Sequence, residues 1–389
     1  MDINELKKDF VKRYGISTDA SFLYFAPGRV NLIGEHTDYN GGYVFPCALN
    51  FGTYLAVRKN KDDLIKMATV NFDYSAEVEP DDIQRKHEGQ WVNYPLGVIH
   101  EFQKLGIKIT GLDMLFYGNV PNGAGLSSSA SIEIVTALAI NELFNSGLDG
   151  VALAKLGQRA ENQYVGVNCG IMDQFASAMG RKDSAIFLDC NTLQYKIVPL
   201  KLNGYKLVIS NTNKRRGLAD SKYNERRGEC DKAVEYIKKA KNISLLGEIP
   251  EDAFYLIDQQ IPDETVRKRA RHVVTEIKRT VDAVKELNAG NLKEFGALMN
   301  GSHDSLRDDY EVTGFELDTL VDEARKIPGV IGSRMTGAGF GGCTVSLVEE
   351  EQVKTFMDEV GRNYHAKTGL KADFYVAEIG DGARFIESF

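Results

Sequence analysis

The chain has 389 residues, enough for two domains of ordinary size, and its 43% hydrophobic and 26% charged residues mark a folded globular protein rather than a disordered one. A formal net charge of -8 without a long basic stripe argues against nucleic-acid binding, and no apolar run approaches the roughly 20 residues that span a bilayer. The five cysteines are odd in number and scattered and the six histidines dispersed, which excludes a disulfide framework and a Cys-rich zinc site.

In chain order, residues 1–10 alternate charged and apolar positions without a signal-peptide apolar stretch, so they read as a short amphipathic helix of a cytoplasmic chain. Strands with turns follow at 22–25, 42–48, 53–57, 65–68 and 75–78, the first breaking into a turn at Pro27-Gly28. A helix with an apolar face spans 94–104, and a strand at 112–120 leads into a glycine-serine segment. The helix predicted at 130–144 has few polar residues, which implies burial on most sides, and Asn145-Ser146-Gly147 stops it. Another helix is expected at 152–164. The second part carries strands at 185–189, 206–211 and 344–348, with helices at 224–240, 264–287, 291–301 and 315–326. A last strand at 372–378 precedes a short tail. Strands and helices do not alternate strictly, so the expected class is α+β with mixed sheets, not a doubly wound sheet.

Three segments carry chemistry. The string from Ala26 to Gly42 mixes Arg29, Glu35, His36 and Asp38 with four glycines and the apolar Val30, Leu32 and Ile33. A core has no use for so many polar groups, whereas a pocket that hydrogen-bonds a small polyol does, and Glu35, His36 and Asp38 lie close enough to converge on one ligand. The segment Gly123-Ala124-Gly125-Leu126-Ser127-Ser128-Ser129-Ala130-Ser131 joins a strand to a helix. Small residues let backbone N–H groups approach an anion, and the helix N-terminus adds about half a positive elementary charge. Its serine hydroxyls suit phosphate oxygens or a metal, although the Gly-Lys-Ser/Thr ending of the common P-loop is missing. Gly337, Gly339 and Gly342 match a dinucleotide fingerprint by spacing, but the run after them is β-like and no acidic residue ends a second strand about twenty positions on. Gly123 and Gly125 have the strand-to-helix context, with Ser128 in place of the third glycine. A nicotinamide oxidoreductase is therefore disfavoured. In Asn168-Cys169-Gly170-Ile171-Met172-Asp173-Gln174 the one carboxylate, Asp173, sits where it can accept a proton from a hydroxyl.

Taken together, these segments resemble galactokinases, within the wider group of small-molecule kinases for homoserine, mevalonate and phosphomevalonate. The first segment resembles galactokinases and close relatives, the other two the wider group, and the resemblance runs from about residue 20 to the end. It implies a two-domain small-molecule kinase fold with the active site in the cleft between domains, the first formed by 1–165 plus about 372–389 and the second by 166–371. It implies ATP-dependent phosphorylation of D-galactose to α-D-galactose 1-phosphate, with Asp173 catalytic and Arg29 its partner, permanently charged. Glu35, His36, Asp38, Gly170, Asp173 and Tyr223 are expected to hold the sugar. Gly123, Ala124, Gly125, Leu126, Ser127, Ser128 and Ser129 are expected at the phosphates, with Trp91 beside the base and Arg215 nearby. Mg²⁺ is expected on Ser129 and Glu161, hard oxygen ligands of the right kind, and the third glycine segment against the phosphate loop. The implied enzyme is a cytoplasmic monomer with no nucleic-acid or membrane partner. A kinase for N-acetylgalactosamine or another hexose keeps the same segments. A non-catalytic galactose sensor is disfavoured by the intact Ser129-Ala130-Ser131.

Overall fold

The computed structural model describes residues 2–84, 86–121, 124–214, 219–239 and 241–389, with backbone alone at 219 and 220. Three sheets organise it. The first has six strands in the order Arg384–Ser388, Phe22–Asn31, Pro46–Lys59, Leu112–Gly118, Ile65–Thr69 and Ala76–Val78. All its pairings are antiparallel except that of Ile65–Thr69 with Leu112–Gly118. The second orders Val330–Thr336, Cys343–Glu349, Tyr205–Asn211 and Asp373–Val376, all antiparallel. A small third sheet joins Tyr43–Val44 to Ser184–Asp189 and Tyr195–Pro199. Mixed sheets with packed helices agree with the α+β expectation.

Two local readings of the first segment are corrected. The strand does not break at Pro27-Gly28; it runs to Asn31, and its pairing with Pro46–Lys59 shifts register between Pro27 and Arg29. A proline, lacking an N–H, is tolerated where a bulge interrupts the ladder. The stretches 42–48 and 53–57 do not form two similar strands: Tyr43–Val44 is a short strand of its own, and Pro46–Lys59 runs unbroken through Gly52. A Cβ at Gly52 would stand 2.1 Å from the Ala26 carbonyl oxygen, so the glycine there permits close pairing rather than breaking the strand.

The helix Ser128–Leu143 is apolar almost all round and packs against the first sheet beside Met172–Met179, while Asn93–Lys104 packs on the helix itself. This burial points its N-terminus at the junction of the sheets. One core cluster joins Val30, Leu32 and Ile33 of the first segment to Ala124 and Leu126, and to Ile209, Cys343 and Val345 of the second sheet. The two sheets therefore close on each other at the expected cleft. The helix expected at 152–164 is α-helical only over Gly150–Arg159 and widens to a π-helical turn at Ala160–Val165. The pairing of Arg384–Ser388 returns the tail to the first sheet, whereas Asp373–Val376 joins the second.

Candidate functional site

The strand Phe22–Asn31 crosses the glycine-serine loop at backbone contact. The Arg29 N–H donates to the Leu126 carbonyl at 3.1 Å, and a Cβ on Gly28 would lie 2.4 Å from that same oxygen, so only glycine lets the chains meet. Beyond the crossing, the buried Arg29 reaches the first turn of Met172–Met179. Its Nε and Nη2 donate to the two oxygens of Asp173, each at 2.8 Å, and Nη1 donates to the Gly125 carbonyl at 2.9 Å. Such a forked, charge-assisted pair fixes geometry as well as charge. The Ser127 hydroxyl donates to Asp173 Oδ2 at 2.5 Å from a left-handed backbone with φ 62°, a conformation a non-glycine residue rarely adopts and that tends to mark functional sites.

On one side of this pair lies a cavity of about 130 Å³, lined by Arg29, Glu35, His36, Asp38, Glu161, Val167, Cys169, Gly170, Met172, Asp173, Tyr223, Gly337 and Ala338. Every residue expected to hold the sugar is among them. Burial pushes the His36 imidazole down to about 3, with His272 adding to the shift, so His36 is neutral near pH 7. Burial and then the charge of Asp173 push the Asp38 carboxyl up to about 7. A Cβ on Gly170 would fall 1.9 Å from Asp38 Oδ2, so the loop lies against that carboxyl only because residue 170 has no side chain. Glu35 Oε1 accepts the Gly337 N–H at 2.7 Å and stands 3.4 Å from Arg334 Nη1, while Oε2 accepts from Asn31 Nδ2 at 3.0 Å. Its carboxylate thus ties the first segment to the third glycine segment as well as facing the cavity. The Tyr223 ring packs 5.6 Å from His36 and 5.4 Å from Tyr39.

A second cavity, of about 170 Å³, opens beside the helix start and is lined by Thr53, Thr69, Asn71, Phe72, Trp91, Tyr94, Phe116, Gly118, Val120, Ser128, Ser129 and Ile132. It brings Trp91 to Ser128 and Ser129 as expected, although the indole N–H is spent on the Tyr74 carbonyl at 3.1 Å. Ala124 and Leu126 are buried in the core, so only their backbone can face a phosphate. A Cβ on Gly337 would stand 2.9 Å from the Gly125 carbonyl oxygen, which places the third glycine segment against the loop. Gly123 and Arg215 lie outside the described residues.

Glu161 is buried on the π-helical turn and lines the first cavity. Burial, then the charge of Asp173, pushes it up to about 7, opposed by hydrogen bonds from Cys169, Ser129 and Gln174. Gln174 Nε2 donates to Glu161 Oε2 at 2.6 Å and to Glu133 Oε2 at 2.9 Å. Glu133 is fully buried, Oε1 has no partner, and burial with the neighbouring Glu161 pushes its carboxyl well above the usual range. Glu133, Gln174 and Arg334 were missed by sequence reasoning. Glu133 left one signal, a single charge in the apolar run Ile132 to Ile140, broken otherwise only by Thr136; Arg334 left none.

Residues 8–59 match the galactokinase galactose-binding signature, 93–181 the GHMP kinases N terminal domain and 283–366 the GHMP kinases C terminal domain. A galactokinase from Clostridium beijerinckii is 53% identical over 388 residues, covering 99% of each chain. The chain belongs to the galactokinase family. Another galactokinase, from Clostridium tetani, is 54% identical over 98% of this chain and 97% of its own. The solved galactokinase of Lactococcus lactis, complexed with galactose, superposes with a TM-score of 0.97 at 45% identity, over 99% of this chain and 100% of that one. The Methanococcus jannaschii mevalonate kinase shares the fold alone, with a TM-score of 0.64 at 20% identity over 95% and 99% of the two chains. Glu35, His36 and Asp38 all fall inside the galactose-binding signature.

Proposed function

We propose that this galactokinase-family enzyme transfers the γ-phosphoryl group of ATP to the C1 hydroxyl of D-galactose, giving ADP and α-D-galactose 1-phosphate. The observation that carries the reading is the Arg29–Asp173 fork, which stands between the sugar-side cavity and the loop whose serines line the other. Asp173 faces the sugar hydroxyl as the group that accepts its proton. Arg29 sets a full positive charge beside that carboxylate and the moving phosphoryl group, and the start of helix Ser128–Leu143 offers backbone N–H groups to the phosphates. Phosphoryl transfer is mainly a matter of positioning and charge stabilisation, which this arrangement supplies.

Mg²⁺ fits the same region. The charges of Glu161 and Asp173 add to burial in raising the proton affinity of Glu133, that of Asp173 does the same to Glu161, and Glu133 Oε1 is orphaned; a cation relieves both. Glu161 and Ser129 would hold it, with phosphate oxygens and water as the remaining ligands, since no set of three His, Cys, Asp or Glu side chains among the described residues forms a cage. Bound, the ion neutralises phosphate charge.

For the architecture, the pairing of Arg384–Ser388 with Phe22–Asn31 supports assigning the tail to the first domain. The packing of Met172–Met179 on that strand supports moving the first domain's boundary beyond 165, and the pairing of Asp373–Val376 supports moving the tail's start beyond 372. A cytoplasmic monomer belongs to the same reading, and a reducing compartment suits Cys47, Cys169, Cys190 and Cys230, which form no disulfide; no described helix is long and apolar enough to cross a membrane. An ADP-release assay across a panel of hexoses tests the function. Galactose as the strongly preferred substrate is expected; equal use of glucose, or release only with N-acetylgalactosamine, overturns it.

A further inference from the structure

Behind the sugar-side cavity stands a chain of hydroxyls that the phosphoryl-transfer reading does not use. His36 holds a left-handed backbone with φ 63° and is 4% exposed. Its Nδ1 is 2.9 Å from the Tyr39 hydroxyl, which is 2.7 Å from the Tyr310 hydroxyl, which is 3.1 Å from Cys230 Sγ. The other ring nitrogen, Nε2, is buried and meets no partner in good hydrogen-bond geometry, although the Ala338 backbone stands close enough to act on the imidazole, and the residue lines the cavity. The rings are locked by packing, with Tyr310 4.8 Å from His36 and 4.5 Å from His272.

Each hydroxyl in such a chain donates once, so the protons run in one of two directions. In one, the Cys230 thiol donates to Tyr310, Tyr310 to Tyr39, and Tyr39 to Nδ1. The neutral imidazole then carries its single proton on Nε2. The reverse order ends on the thiol sulfur, a weak acceptor, and turns the buried S–H out of the chain toward the Asn40 side chain, its other neighbour. The first order gives the thiol and both hydroxyls an acceptor and leaves only the Nε2 N–H, on the residue that lines the cavity, to be met by a ligand.

We propose that Tyr39, oriented by Tyr310, is a positioning residue that holds His36 in the tautomer protonated at Nε2, so that the imidazole donates a hydrogen bond to a sugar hydroxyl. The assignment rests on the galactose reading for the identity of the ligand, but the tautomer is a property of the free protein. Substitution by glutamine at residue 36 leaves an amide in place of this donor; substitution of Tyr39 by phenylalanine keeps the ring and removes only the hydroxyl.

Long-range ¹⁵N–¹H spectra of histidine-labelled free protein, with His36→Gln to assign the signal, read the tautomer directly. A protonated Nε2 and a bare Nδ1 are expected in the parent, and a tautomer mixture in Tyr39→Phe. The variant should raise the galactose KM about three- to tenfold, the worth of one neutral hydrogen bond, with kcat and the ATP KM changed less than twofold. That penalty should vanish for one member of a panel of deoxygalactoses, the one lacking the hydroxyl His36 meets. Tyr310→Phe, which leaves Tyr39 in contact with His36, should give a smaller loss of the same kind. A parent His36 protonated at Nδ1, or a Tyr39→Phe loss spread equally over kcat and both substrates, overturns the proposal. Failure to phosphorylate galactose would instead refute the functional reading, with the spectra still deciding the tautomer.

Discussion

Replacing Asp173 with asparagine tests the centre of the site. The amide keeps the shape and one acceptor, but it carries no charge and is a poor base. On the chemical side the loss of a general base is worth about 10²–10⁴-fold in rate, or about 3–5 kcal/mol of barrier. On the structural side, the Arg29 Nη2 and Ser127 Oγ donors, at 2.8 and 2.5 Å from Asp173 Oδ2, meet either an amide NH₂ or a neutral oxygen. Removing one partner of a fully buried ion pair costs about 3–5 kcal/mol. The Arg29 side chain is 5% exposed but that of Asp173 is 27%, so solvent screening lowers the expected loss to about 1–3 kcal/mol. The variant should therefore fold, with a reduced Tm, and turn over at least 100-fold more slowly while still binding galactose. Steady-state kinetics with coupled ADP detection, thermal melts and galactose titration by calorimetry read the three quantities. Retention of more than about half the parental kcat would refute the assignment of Asp173, whatever the melt shows.

Ser129→Ala should raise the Mg²⁺ concentration needed for half-maximal rate and leave galactose binding unchanged; an unaltered Mg²⁺ dependence removes Ser129 from the metal site. Asp38 gives a pH prediction with a definite sign. Its carboxyl is pushed from an ordinary 3.8 up to about 7 in the folded protein, so its contribution to stability is complete below about pH 4 and is lost as the pH rises through about 7. Glu161, pushed up to about 7, acts in the same direction. Asp38→Asn should flatten part of the decline in unfolding free energy of the ligand-free protein between pH 4 and 7, by an amount on the order of a few kcal/mol; stability–pH curves of parent and variant that stay parallel across that window contradict the cause assigned to the shift. The same variant should lose preference for galactose over glucose, measured as the ratio of kcat/KM values, with nucleotide affinity unchanged.

Much of the site was legible because its chemistry is local. Glu35, His36 and Asp38 lie within four positions, and the loop ahead of Ser128–Leu143 announces an anion site by small residues and a helix start. The predicted boundaries failed where glycine and proline serve close packing instead of turns, as at Pro27-Gly28 and Gly52. The π-helical turn that buries Glu161 was invisible for a similar reason: it is imposed by packing, and the side-chain pattern of the segment is that of an ordinary helix.

By itself, the sequence determined which groups are available and roughly which elements carry them: a permanently charged Arg29, the carboxylates, the serines, and backbone thin enough to approach a phosphate. Only the tertiary structure decided which of them meet. Arg29 and Asp173 are 144 positions apart, and Glu35 and Gly337 are 302 apart. Their pairing follows from the strand Phe22–Asn31 crossing the glycine-serine loop and from the two sheets sharing one core at Val30, Leu126 and Val345. The same closure buries Glu133 and Glu161 beside the half-buried Asp173, and sets His36 against Tyr39 and Tyr310. Residue type sets what a side chain can donate or accept; burial and the distance to its neighbours set its charge state and its partner, and both arise only when distant segments pack.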